Sequence, residues 1–233
     1  MKNIKNKIAI CLAYFIMIFM LYAASCEIVP TEEQKICPIY YRCAAIATDT
    51  VIYDIVDPDK GFDYLREAFK DANVYIEDSI GPYWEENAYP SDWYTFVNEI
   101  KSRKDNIKPW YIEAGLEVPE FNNWGIPSNV LALTFYKKLP WEGASVIFSK
   151  KIYSCYPDYD NYCSVVKMST IHEVGHQYGW LTDKYLYPDS HDFCLPDLNP
   201  CCVMDSIYRT TLKFYYKFCN KCVNALKKIN WIY

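Results

Sequence analysis

Glycine is scarce in this chain, with 7 in 233 residues, and histidine is scarcer, with 3. So little glycine excludes a collagen-like repeat and long flexible low-complexity stretches. Basic residues do not exceed acidic ones, and the formal net charge is −5, so the electrostatic footprint of a nucleic-acid partner is missing. No internal repeat and no linker divides the chain. What is abundant points the other way: 52% hydrophobic and 18% aromatic residues describe a folded chain with a real core, of a length that suits one domain.

The first 25 residues have their own character. Lys2, Lys5 and Lys7 precede an apolar run from Ile8 to Ala24, and Ala23-Ala24-Ser25 offers small residues for cleavage. That order predicts a secretory signal peptide over 1–25 and an exported mature chain over 26–233, whether secreted, periplasmic or at the surface. An uncleaved anchor is the competing reading of the same run. Small residues directly before Cys26 also resemble a lipoprotein cleavage site, so membrane attachment is expected only through a lipid on Cys26 or through the retained segment. Removing the three lysines leaves 21 basic against 29 acidic residues, a net charge of −8.

Export makes disulfides the default for the ten remaining cysteines, with Cys37–Cys43 and Cys155–Cys163 as short-loop pairs.

Strand-like and helix-like segments alternate along the chain. Thr50 to Val56, Val74 to Ile76, Trp110 to Val118, Val130 to Lys137 and Ala144 to Lys150 are apolar strand candidates. Lys60 to Ala72 aligns Phe62, Leu65, Phe69 and Ala72 on one helical face. Ser91 to Lys104 repeats the pattern with Trp93, Phe96, Val97 and Ile100, and Ser91 is the expected N-cap. The expectation is an α/β (α+β) fold, a mixed sheet with packed helices. The N-terminal lobe runs to about residue 179. The rest, 180–233, is rich in Cys, Pro, Asp and Tyr and is expected to form an irregular lobe.

Chemistry concentrates in Ser164 to Tyr178, where Val165, Met168, His172 and His176 share one helical face. His172-Glu173-Val174-Gly175-His176 is an HExxH motif. Residues four apart lie one turn apart, so both imidazoles reach one metal ion while Glu173 stands beside them without ligating. Zn²⁺ held this way lowers the pKa of water to about 7, and Glu173 is the candidate general base for attack on a peptide carbonyl. A capping box, Thr170 to Glu173, would instead make Glu173 a helix-start residue. Val165 and Met168 argue that the helix begins earlier. Gly179, three residues after His176, is expected to leave the helix with a positive φ and turn the chain back.

His172, Glu173, His176 and Gly179, followed by a further His and by Cys202-Val203-Met204, resemble the metzincin zinc metalloproteases. With Cys219-Asn220-Lys221-Cys222, the stretch is most similar to the archaemetzincins. The family's third His falls at Thr182 here. The resemblance therefore transfers the third ligand to His191, nine residues on, with Asp183 as the alternative. It implies Met204 as a Met-turn floor beneath the ligands, with Tyr208 a candidate donor to an oxyanion. It also implies a second, structural zinc at Cys194, Cys202, Cys219 and Cys222, for which disulfides, Cys201 included, are the competitor in an oxidising compartment. Ala144 to Lys150 is the candidate edge strand for an extended peptide, with a fully paired core strand as the alternative.

The combined expectation is an exported, monomeric zinc metallopeptidase acting on peptide or protein substrates, with one catalytic zinc and a second site open. The rivals are a disulfide-rich surface protein that holds zinc without catalysis, and a membrane-anchored protein with no zinc.

Overall fold

The computed structural model describes residues 33–46, 55–57, 60–81, 84–86, 92–104, 110–114, 130–135, 143–179, 181, 202–204 and 216–230. The leader over 1–25 and Cys26 lie outside them, as do Thr182, Asp183, His191, Cys194, Cys201 and Tyr208. From Gln34 onward the chain forms one compact unit.

A mixed sheet is the frame. Five strands run in the order β2 (Val74–Ile80), β1 (Lys35–Ile46), β4 (Trp110–Ala114), β6 (Ala144–Ile147) and β5 (Ala132–Phe135). A short β3 (Trp84–Glu86) pairs with the end of β1. All pairings are parallel except that of β5 with β6, which is antiparallel.

Strand alternation sorts the side chains to two faces. Cys37, Ile39, Tyr41 and Cys43 of β1 join Trp110 and Ile112 of β4 in the front core, beneath helix α1 (Asp63–Phe69) and the long helix α4 (Tyr159–Gly179). Tyr111, Ala144 and Val146 face the back, where Phe96 and Ile100 of helix α2 (Trp93–Lys104) cover them. Burying a side chain of this size contributes about 1.5–3 kcal/mol, more than a typical net hydrogen bond at about 0.5–1.5 kcal/mol, so the two-faced burial sets the layers.

Several expectations change. The longest strand, interior to the sheet, is Lys35–Ile46, a segment not anticipated as a strand, whereas Ile55 and Val56 at the end of the expected first strand are in none. The remainder of that segment, 50–54, lies outside the described residues. Asp92 caps α2: its Oδ1 accepts the Thr95 N–H at 2.8 Å and its Oδ2 accepts the Thr95 hydroxyl at 2.8 Å. Ser149 and Lys150 open helix α3 (Ser149–Cys155) and do not extend β6. Strand β6 pairs with β4 on one side and β5 on the other, so it is a core strand and not a sheet edge. The C-terminal lobe is not wholly irregular, since helix α5 (Asn220–Lys228) buries Cys222, Val223 and Leu226.

None of the seven described cysteines is in a disulfide. Cys37 and Cys43 lie on one face of one strand, six residues apart. At about 3.3 Å per residue that separation is far beyond the reach of a bridge. Cys155 and Cys163, in α3 and α4, are not joined either.

The back face holds a buried ion pair. Glu113 on β4 is fully buried. Its Oε1 accepts from Arg103 Nη1 of α2 at 2.7 Å, and its Oε2 accepts the Tyr111 hydroxyl at 2.7 Å. Burial and the adjacent carboxylate hold the Tyr111 phenol well above its ordinary pKa. Arg103→Leu is expected to lower the unfolding free energy in urea by about 3–5 kcal/mol, because it strands a buried carboxylate. The double variant with Glu113→Leu should recover more than half of that loss.

Candidate metal centre

Helix α4 spans 21 residues and starts at Tyr159, with Asp158 Oδ1 accepting the Asn161 N–H at 3.0 Å. Thr170 to Glu173 is thus deep in the helix interior and is not a capping box. The helix packs on the sheet end formed by β5 and β6. It presents His172 and Glu173, both buried, and the half-buried His176.

The two imidazoles meet at their Nε2 atoms, 2.9 Å apart, with the rings 83° from coplanar. Their other nitrogens are committed elsewhere. His172 Nδ1 lies 2.9 Å from the Val203 carbonyl, and His176 Nδ1 contacts the Leu181 carbonyl. A carbonyl only accepts, so each Nδ1 must donate its proton. Two neutral rings in that tautomer face each other lone pair to lone pair at 2.9 Å, an arrangement that a shared cation, a proton or a metal ion, relieves. A tetrahedral ion at about 2.0–2.1 Å from each nitrogen fits between them once the two atoms part by a few tenths of an ångström. Carbonyl anchoring of the distal nitrogen is also how metal-bound histidines are generally oriented.

Glu173 is held from the sheet. Its Oε2 accepts the Thr134 hydroxyl of β5 at 2.6 Å, and its main-chain oxygen is 3.1 Å from the same hydroxyl. Behind it, Ser145 Oγ is 3.0 Å from Gln177 Oε1, and Gln177 Nε2 donates to the Gly143 carbonyl at 3.1 Å. The ligand atoms of His172, Glu173 and His176 all fall within 4.8 Å of one another.

Met204 is fully buried against α4 at Gly175. A Cβ built on Gly175 would stand 2.9 Å from Met204 Sδ and 2.9 Å from Phe218 Cε1. Gly175 is what lets the Met204 turn reach the helix at the turn bearing the two histidines. Val203 is tied down in its own right, its N–H donating to the Lys217 carbonyl at 2.8 Å. Gly179 has no positive φ, contrary to expectation: it is still helical, and a Cβ there would meet Leu226 Cδ2 at 2.6 Å. Close packing, not backbone handedness, is what favours glycine at that position.

A second cluster adjoins the first. The sulfurs of Cys202, Cys219 and Cys222 lie within 4.8 Å of one another, with Cys202 and Cys222 3.6 Å apart, beyond bonding distance. The Cys219 N–H reaches Cys202 Sγ at 3.3 Å. Hydrogen bonding to Cys219 pushes the Cys202 thiol up to about 12, and hydrogen bonding to Cys202 raises Cys222 too. Crowded sulfurs resist carrying several negative charges together. A soft divalent cation removes that penalty, so the donor set fits Zn²⁺. Of the four expected ligands, three are brought together, and Cys194 lies outside the described residues.

The third ligand of the histidine site, His191 or Asp183, also lies outside the described residues, as does Tyr208. The carbonyls of Leu181 and Val203 and the hydroxyls of Thr134 and Ser145 were not anticipated. For Thr134 and Ser145 a signal existed: both are polar and alternate onto the inward face of apolar strands. Main-chain carbonyls leave no such mark. Among the described residues, no helix is long and apolar enough to cross a membrane. No family model matches the chain, and no curated protein matches it significantly.

Gly175→Ala is expected to destabilise the protein by about 1–3 kcal/mol, because Met204 Sδ and Phe218 must both shift. Metal affinity, measured by competition with a chromophoric chelator, should fall along with stability, since Val203 next to Met204 holds His172.

Proposed function

We propose that the chain is an exported zinc-dependent metallopeptidase of metzincin type, most similar to the archaemetzincins. One observation carries the reading: two imidazoles converge their Nε2 lone pairs while both Nδ1–H groups are tied to main-chain carbonyls. His172 and His176 then hold the catalytic zinc, with His191 as third ligand and Asp183 as the alternative. The zinc supplies Lewis-acid polarisation and acidifies water. Glu173, beside the two ligands, takes the proton from the attacking water and delivers it to the leaving amine. Met204 forms the apolar floor.

Strand β5 is the outermost described strand on this side of the sheet, and its Thr134 touches Glu173. An extended peptide or protein substrate adds along β5 through main-chain hydrogen bonds, which give affinity with little side-chain preference. This edge replaces Ala144–Lys150, of which Ala144–Ile147 is paired on both sides. Cys202, Cys219 and Cys222 hold a second, structural zinc.

Glu173→Ala should retain the zinc content of the wild type and lose hydrolysis of an unstructured protein such as casein by at least about 100-fold, the scale of removing a general base. Equal activity would remove Glu173 from the mechanism. Zinc uptake without Glu173-dependent cleavage would identify a zinc-holding binding protein instead. Metal analysis combined with thiol titration should return two zinc per chain, and blocking of Cys202, Cys219 and Cys222 by a thiol reagent only after chelation. One zinc per chain, with those thiols reactive throughout, would remove the second site.

A further inference from the structure

We infer that Thr134 is a positioning residue for Glu173, fixing the carboxylate relative to the sheet edge. The inference rests on the peptidase reading for its catalytic consequence and on geometry alone for the contact.

Proton accounting gives the hydroxyl a single direction. Gln177 Nε2 must face the Gly143 carbonyl, because the flipped amide would set two oxygens against each other. Gln177 Oε1 therefore faces Ser145, and the Ser145 hydroxyl donates to it at 3.0 Å. Ser145 Oγ sits 2.9 Å from Thr134 Oγ1 and, with its own proton committed, acts there as an acceptor. Thr134 has one proton and three acceptors in reach: Ser145 Oγ at 2.9 Å, the Glu173 main-chain oxygen at 3.1 Å and Glu173 Oε2 at 2.6 Å. The carboxylate is the nearest and the only charged one, so it receives the proton, and charge-assisted bonds of this kind are the strong ones.

Gly143, Gln177 and Ser145 thus form one hydrogen-bonded run and Thr134 with Glu173 a second, the two lying side by side between helix and sheet within the front core. Thr134 and Ser145 are also directly paired across β5 and β6. The carboxylate position is accordingly set by the register of β5, the strand along which a peptide would add. A residue without a hydroxyl donor at this place would leave Glu173 to choose among orientations. Thr134 restricts it to one.

The test is Thr134→Val, which keeps shape and removes the donor, with Thr134→Ser restoring it. The ¹³C resonance of the Glu173 carboxylate, assigned with Glu173→Gln, is compared in wild type and both variants, metal-free and zinc-loaded. Hydrolysis of a fluorogenic peptide is measured alongside zinc content. The expected result is a moved resonance in the Val variant, with kcat reduced on the order of 10- to 100-fold, as for a misplaced catalytic group. KM and zinc content should be unchanged, and the Ser variant should recover resonance and rate. An unmoved resonance, or a moved one with wild-type kcat, overturns the inference. So does a fall confined to KM. If the Val variant does not fold, Thr134→Ala takes its place with the same outcomes. A wild type that binds zinc but cleaves nothing sinks the peptidase reading, and the resonance then decides the contact by itself.

Discussion

Two histidine rings whose Nδ1 protons are taken by main-chain carbonyls are the constraint around which this structure is organised. One turn of helix brings His172 and His176 to the same side, but that spacing alone leaves each ring free to rotate and to choose a tautomer. The choice is removed by Val203 and Leu181, which come from two separate stretches of chain beyond the helix. The chain must therefore leave α4, double back immediately at Leu181, and return again at Val203.

Scarce glycine marks where the return is tightest. Two of the seven glycines stand in the last turns of α4, at Gly175 and Gly179, where glycine costs about 1 kcal/mol relative to alanine in a helix interior. At both positions the missing side chain admits another: Met204 and Phe218 against Gly175, Leu226 against Gly179. Helix propensity has been given up on the face that Met204, Phe218 and Leu226 approach. Phe218 in turn stacks edge-on against Phe69, which packs against Tyr178, so the same contact ties the C-terminal segment to the front core.

The helical half of the fold was more legible than the sheet. Three-and-four spacing made Phe62, Leu65 and Phe69 readable as one face, and the HExxH placement followed from the same periodicity. The strand Lys35–Ile46 was not, because it carries Pro38 in a run with apolar residues on both faces, and proline inside a run argues against a central strand. Its alternation is visible only once Cys37, Ile39, Tyr41 and Cys43 are known to face the core. Ala144–Lys150 was read as one strand because Phe148 continues the apolar run, whereas the chain turns there into a helix. In the candidate site, the side chains at i and i+4 could be named from the sequence, but their partners could not. Val203 and Leu181 act through carbonyls, which every residue has. Thr134 acts across 39 positions of chain, a pairing that only the sheet register creates.

The segment Cys202-Val203-Met204 shows how closely the two clusters are joined. Cys202 turns its sulfur to Cys219 and Cys222, Val203 offers its carbonyl to His172, and Met204 fills the space opened by Gly175. Three consecutive residues thus face three different requirements, with the N–H of Val203 fixed to Lys217 just before Cys219 and Cys222. A thiol cluster held together, by whatever means, holds the Val203 carbonyl at its place, and through it the orientation of His172. A loosened cluster would release a ring whose value lies in pointing one lone pair in one direction. Histidines and cysteines therefore form a single mechanical unit, and the orientation of His172 depends on a segment that grips its Nδ1 and not its metal-facing side.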